Sequence, residues 1–67
     1  RYTRERQIVS ALASGPATVE ALVTALYPTV SKALRAVAGE SVLAHLIKLE
    51  RDQRVARDQD SWHIMRP

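Results

Sequence analysis

The feature that most constrains this chain is an amphipathic segment that runs directly into two short alternating segments. Between Ser41 and Arg51, apolar residues recur at spacings of three and four, which is the pattern of one buried face of an α-helix. Residues 54–57 and 62–64 then alternate between polar and apolar side chains, as half-buried strands do. The polar cluster at 58–61 is typical of a turn. The order therefore predicts a helix followed at once by a β-hairpin.

Further helices are predicted before this long helix. Residues 1–14 form the first, which ends at the pair Gly15-Pro16 because proline cannot continue a helix. Thr18 is a suitable N-cap for the second helix, since its hydroxyl can accept a hydrogen bond from an exposed backbone N–H. Residues 31–35 are expected to form a short third helix, and the long helix is expected to cover about residues 38–52.

These segments predict a mostly α fold with a small β-hairpin: a winged helix-turn-helix with three to four helices and a two-stranded wing. Trp62 is expected to anchor the hairpin in the core, because an isolated two-stranded hairpin is not stable in water. Both histidines, His45 and His63, are expected to point to solvent. The apolar face of the long helix is predicted to consist of Val42, Leu43, Leu46, Ile47 and Leu49.

The length of 67 residues allows one domain, residues 1–67, with a marginal core. Cysteine is absent, so no disulfide can strengthen that core, and the composition fits a cytoplasmic protein. No apolar run approaches the roughly 20 residues that span a bilayer, so no membrane partner is expected. The first residue is not methionine, and we expect the chain to be a fragment of a longer protein.

The sequence contains no pattern of residues that predicts catalysis. The two histidines lie 18 positions apart, without the spacing that places two imidazoles on one metal ion. Only two glycines are present, and neither lies in a phosphate-binding loop or around a nucleophilic serine. We therefore predict no catalytic, cofactor-binding or metal-binding residue in this chain.

The long helix and the wing carry the candidate contact residues. The net charge of +3 permits a phosphate-binding face without requiring one. The acidic residues Glu40, Glu50 and Asp52 lie close by and would repel a nucleic-acid backbone. A solvated helix face therefore remains the alternative to a contact surface for nucleic acid or a partner domain. The candidate contact residues are His45, Lys48, Arg51, Arg54 and Arg57.

The order of several short motifs resembles one known family. The motifs are Arg4-Glu5-Arg6-Gln7-Ile8, Gly15-Pro16-Ala17-Thr18-Val19-Glu20, Leu26-Tyr27-Pro28, Ala33-Leu34-Arg35 and, most specifically, the long-helix segment from Ser41 to Glu50. From Arg4 to Trp62 the chain resembles the C-terminal winged-helix domain of metallo-β-lactamase-fold hydrolases. That family tends to carry a glycine after the long helix, where this chain has Gln53. The resemblance therefore implies a left-handed backbone at Gln53, or a different helix end.

The resemblance implies an accessory role rather than an active site. In such hydrolases the zinc ligands belong to a His-x-His-x-Asp-His motif in the preceding catalytic domain, and this chain has no such motif. Zinc is therefore expected only in the parent's catalytic domain. The winged helix would pack beside that domain, which is its partner in the same polypeptide, and would shape the substrate cleft. Removal of that partner is expected to leave apolar residues bare, on the first two helices.

An alternative interpretation has the same fold but a nucleic-acid partner. The chain would then be a stand-alone or accessory winged helix that binds RNA or DNA through the basic residues of the long helix and wing. Binding of this kind weakens steeply with salt, because each phosphate contact releases counterions.

Overall fold

The computed structural model describes residues 2–65. They form α1 (Tyr2–Leu12), β1 (Ala17–Thr18), α2 (Val19–Leu26), α3 (Lys32–Arg51), β2 (Val55–Asp58) and β3 (Ser61–Ile64). The predicted winged helix-turn-helix is confirmed, with three helices and a small antiparallel sheet in this part of the chain. Arg1, where we expected the first helix to begin, lies outside the described residues.

The predicted boundaries around α2 are confirmed by the local geometry. Gly15 has a φ of 139°, a conformation that residues with a Cβ rarely adopt, and it lies in the turn that follows α1. The Thr18 hydroxyl accepts a hydrogen bond from the Ala21 backbone N–H at 3.1 Å and so caps the first turn of α2. This helix ends at Leu26, directly before Tyr27 and Pro28.

The predicted division between a short third helix and a long fourth helix is wrong, because α3 is continuous from Lys32 to Arg51. Glycine inside this helix does not break it. A Cβ added at Gly39 would come within 3.7 Å of the Val19 side chain and 4.0 Å of the Val23 side chain. Both distances are ordinary van der Waals contacts, so α3 packs against α2 here without requiring glycine. Ser31 lies at the N-cap position as predicted, but its side chain makes no capping hydrogen bond.

The end of α3 leads directly into the wing through a left-handed residue. Gln53 has a φ of 63°, as the resemblance implied. Its N–H donates to the Glu50 carbonyl at 2.9 Å, and the Arg54 N–H donates to the Leu49 carbonyl at 2.9 Å. These two bonds form a Schellman motif, which usually has glycine at the left-handed position.

The sheet has one more strand than the predicted hairpin. Its order is β1-β3-β2, with both pairings antiparallel, so β3 lies in the centre. In this register Trp62 pairs with Ala17 on one side and with Arg57 on the other. The two-residue turn of the hairpin contains Gln59, which has a φ of 59°. The short strand β1 thus joins the wing to the start of α2.

All three helices and the wing contribute to one hydrophobic core. Trp62 lies in this core, as predicted, whereas His63 is half-buried rather than pointing fully to solvent. Leu43 and Ile47, which we expected on the apolar face of the long helix, are 36% and 43% exposed. The buried apolar residues are Ile8, Leu12, Leu22, Val23, Val42, Leu46, Leu49, Val55 and Trp62.

Candidate partner-binding surface

The five candidate contact residues separate into two groups in the structure. His45 and Lys48 lie on the side of α3 that faces the start of α1, where both approach Glu5. Arg51, Arg54 and Arg57 lie at the end of α3 and in the wing, and all three are exposed. The residues therefore do not form one continuous basic face on α3.

Glu5 is the centre of the first group. Only 6% of this residue is exposed, and its Oε2 accepts a hydrogen bond from Lys48 Nζ at 2.8 Å. The Nδ1 of His45 lies 3.9 Å from the same oxygen. The Lys48 hydrogen bond lowers the pKa of Glu5 below its ordinary value, although burial acts in the opposite direction. The pair of Glu5 and Lys48 thus links α1 to α3. His45 is half-buried, so the prediction that it points to solvent is wrong.

Arg51 and Arg54 form the exposed part of the second group. Among residues 2–65, neither guanidinium makes a hydrogen bond or an ion pair. The Schellman motif places Arg54 immediately after the helix end, three residues beyond Arg51. Arg54 also contributes a weak electrostatic lowering of the Glu5 pKa. Both cations are therefore available to a partner at the edge of the wing.

Arg57 has contacts within the wing itself. Its Nε donates to the Gln59 carbonyl at 2.8 Å, across the hairpin turn. Its guanidinium carbon lies 5.7 Å from the centre of the Trp62 ring, within the range of a cation–π contact. Arg57 thus helps to hold the hairpin over the core, and only part of its hydrogen-bonding capacity remains for a partner.

The outward face of α3 is apolar and carries more carboxylates than cations, with Arg51 four positions beyond Ile47. Leu43 and Ile47 lie on this face, four residues apart. Glu40 precedes Leu43 by three positions and Glu50 follows Ile47 by three, so each carboxylate neighbours an apolar residue. A helix that reads DNA presents polar and cationic side chains at such positions. This face is better suited to contact with protein than to contact with phosphate.

A second exposed apolar surface was missed by the sequence interpretation. Leu34 and Val37 are 57% and 62% exposed, the largest exposures among the big apolar residues of the described chain. They line an open groove with a volume of about 260 Å³, which we call the α3 groove. The expectation that bare apolar residues lie on the first two helices is therefore wrong, because they lie on α3. The groove is lined by Tyr27, Val30, Leu34, Val37, Ala38 and Ser41.

Within residues 2–65 there is neither a cluster of potential metal ligands nor a helix that could span a membrane. Nowhere in residues 2–65 do three histidine, cysteine or carboxylate side chains gather closely enough to hold a metal ion. Over the same range, no helix has both the length and the apolar character needed to cross a bilayer. The candidate surfaces for contact with a partner are the α3 groove, the outward face of α3 and the arginines of the wing.

Comparison with known proteins identifies the fold family. Neither the curated proteins nor the solved structures gave a match. A family model described as the beta-lactamase associated winged helix domain matches residues 18–62, from the N-cap of α2 to the buried tryptophan of β3. The match covers the helix, helix and wing described above, and more than half of the chain. This chain therefore belongs to the beta-lactamase associated winged helix domain family.

Proposed function

We propose that this chain is a non-catalytic C-terminal accessory domain of a metallo-β-lactamase-like zinc hydrolase. It packs beside the catalytic domain of the same polypeptide and shapes the substrate cleft of that domain. Zinc belongs to the catalytic domain under this proposal, and the parent protein is cytoplasmic. The observation that carries the proposal is the exposure of Leu34, Val37, Leu43 and Ile47 on α3, in a family named for its association with β-lactamases.

The exposure of these residues supports a protein partner for a physical reason. Apolar area removed from water contributes about 25 cal/mol per Å², so a partner that covers large apolar side chains such as Leu34 and Val37 gains substantial binding energy. Clustered exposed apolar residues on a small domain are typical of interaction sites. Isolated exposed residues would not carry this argument. Here Leu34 and Val37 lie three positions apart on one helix, and Leu43 and Ile47 lie four apart.

The parent protein itself provides the first test. Its sequence before this chain should contain a His-x-His-x-Asp-His motif, and the purified protein should contain zinc by elemental analysis. Substitution of a histidine in that motif should remove the zinc, while the winged helix remains folded. A parent protein without the motif would contradict the proposal.

Binding of RNA or DNA is the second candidate function, supported by the exposed side chains of Arg51 and Arg54. Contact would be limited to the nucleic-acid backbone at the edge of the wing, because the outward face of α3 is apolar and carries more carboxylates than cations. Fluorescence titration with duplex DNA and with single-stranded RNA tests this candidate. Binding should weaken steeply as salt is raised, and should weaken further in Arg54→Ala and Arg57→Ala. Absence of binding at low salt would exclude it.

A further inference from the structure

The α3 groove has the size of a site for one protein side chain rather than for a small molecule. Its volume of about 260 Å³ lies below the roughly 300–1,000 Å³ typical of ligand pockets. Its lining is almost entirely apolar, with Tyr27 and Val30 from the loop after α2 on one side and Leu34 and Val37 from α3 on the other. An apolar side chain inserted between these two walls would cover the most exposed apolar residues of the domain.

The side of the groove that faces α1 is positively charged. The guanidinium carbon of Arg4 lies 4.6 Å from the centre of the Tyr27 ring, and Tyr27 lines the groove. Lys48 follows Ser41 by seven positions, which places a second cation on the same side of α3. Carboxylates from a partner would therefore be attracted to this side of the groove.

The carboxylate of Glu5 does not remove the positive charge on this side of the groove. Glu5 is buried and already hydrogen-bonded to Lys48, so it compensates one cation and presents little surface to a partner. Arg4 donates a hydrogen bond to the neutral side chain of Gln7 at 2.7 Å and keeps its charge. Glu40 lies three positions beyond Val37, but on the side of α3 away from α1. The partner's acidic group is thus expected on the α1 side alone.

The outward face of α3 has the opposite electrostatic character. Leu43 and Ile47 are less exposed than Leu34 and Val37, and Glu40 and Glu50 flank them. Leu43 also lines a separate cleft with Glu20, Asp60 and Arg57, so two carboxylates and one cation lie beside it. Carboxylates outnumber cations here, so an acidic partner is favoured at the α3 groove over this face.

We infer that the α3 groove is where the catalytic domain docks, through an apolar side chain that is flanked by carboxylates on the side facing α1. This inference rests on the proposed function and adds to it the surface of contact and the chemistry of the partner segment. The catalytic domain contacts the winged helix at the loop of residues 27–30 and at the first half of α3. The outward face, with Leu43 and Ile47, stays open to solvent.

Hydroxyl-radical footprinting of the intact full-length protein tests this assignment, because oxidation reports the exposure of individual side chains. Leu34 and Val37 should be protected although they are highly exposed in the isolated fold, whereas Leu43, Ile47 and Met65 should be oxidised. In a Leu34→Glu variant, oxidation of Val37 and Tyr27 should rise several-fold. An Ile47→Glu variant, with the same charge change on the other face of the same helix, should leave Val37 protected.

A charge reversal tests the acidic character of the partner. Arg4→Glu should raise the oxidation of Val37, since it would repel the carboxylates beside the groove. Arg6→Glu is the matched control, because Arg6 is an exposed arginine of the same helix, whereas the cation–π contact with Tyr27 is made by Arg4. If the two variants raise the oxidation of Val37 equally, the inference that the partner segment is acidic is overturned.

The possible footprints separate the inference from the proposed function. Protection of Leu43 and Ile47, with oxidation of Leu34 and Val37, would overturn the assignment of the groove and leave docking on the catalytic domain in place. Oxidation of all four residues would overturn the docking itself, and with it the proposed accessory role.

Discussion

Replacing Leu46 by alanine should remove a large share of the stability of this domain. Leu46 lies in the middle of the core with 0% exposure, so the substitution leaves a cavity that α1, α2 and the wing cannot fill without moving. Such a change costs about 2–5 kcal/mol for a buried leucine. A domain of 67 residues has about 3–10 kcal/mol of stability in total. The variant should therefore lose between a fifth of its stability and all of it.

The next residue along the helix provides the control. Ile47→Ala removes about as much side chain as Leu46→Ala, but Ile47 is 43% exposed and lies outside the core. Ile47→Ala should cost about 1 kcal/mol or less, which is near the range of surface substitutions. Both variants can be compared by urea denaturation followed by circular dichroism. A loss below about 1 kcal/mol for Leu46→Ala, or equal losses for the two variants, would refute the orientation of α3.

Three further substitutions test local features of the structure. Gln53→Gly should raise the unfolding free energy by about 0.5–1 kcal/mol, because glycine adopts the left-handed φ of 63° without strain; a destabilised variant would contradict the Schellman motif. Thr18→Ala should lower the unfolding free energy by about 1 kcal/mol, because the cap on α2 is lost. Thr18→Ser keeps the hydroxyl and should retain most of the wild-type unfolding free energy. Glu5 has a lowered pKa, so its ion pair stabilises the fold at pH values above the ordinary value of 4.5 and ceases to do so as the pH falls through the lowered pKa. Thermal melts of the wild type and Glu5→Gln should therefore differ at neutral pH and converge in acid; a difference that stays constant with pH would contradict the pairing with Lys48.

Most of the fold could be predicted because its local signals agree with one another. Thr18 caps α2, and Gly15 occupies the turn after α1. The alternating residues of the wing place Val55 and Trp62 in the core. In each case propensity, polarity and turn chemistry indicate the same structure, and tertiary contacts do not change that local preference.

The prediction of the apolar face of α3 is wrong for a physical reason. Hydrophobic periodicity identifies a helix face only if the apolar residues are buried, and Leu34, Val37, Leu43 and Ile47 are exposed on α3. Leu43 and Ile47 adjoin the buried Val42 and Leu46 in the sequence, so the pattern assigns them to the core although they are exposed. The same residues form the proposed interaction surfaces, so the failure of the pattern coincides with the functional candidates.

The pairing of Glu5 with Lys48 could not be predicted from local patterns. The two residues are 43 positions apart and meet only because α1 packs against α3. Sequence rules for ion pairs describe neighbours three or four positions apart on one helix. The sequence places His45 opposite the apolar stripe of α3, and that pattern does not indicate the carboxylate of α1 that His45 faces. The wing arginines were easier to place, because they follow a helix end and lie on an edge strand.

The most direct test of the central claim is calorimetry of the intact parent protein beside the isolated winged helix. If the domain docks on a catalytic domain, its unfolding should couple to that domain and occur at a higher temperature than in isolation, because a partner that binds only the folded state stabilises it. Leu34→Glu should abolish this gain while leaving the melting temperature of the isolated domain nearly unchanged. An identical melting temperature with and without the rest of the protein would contradict the account.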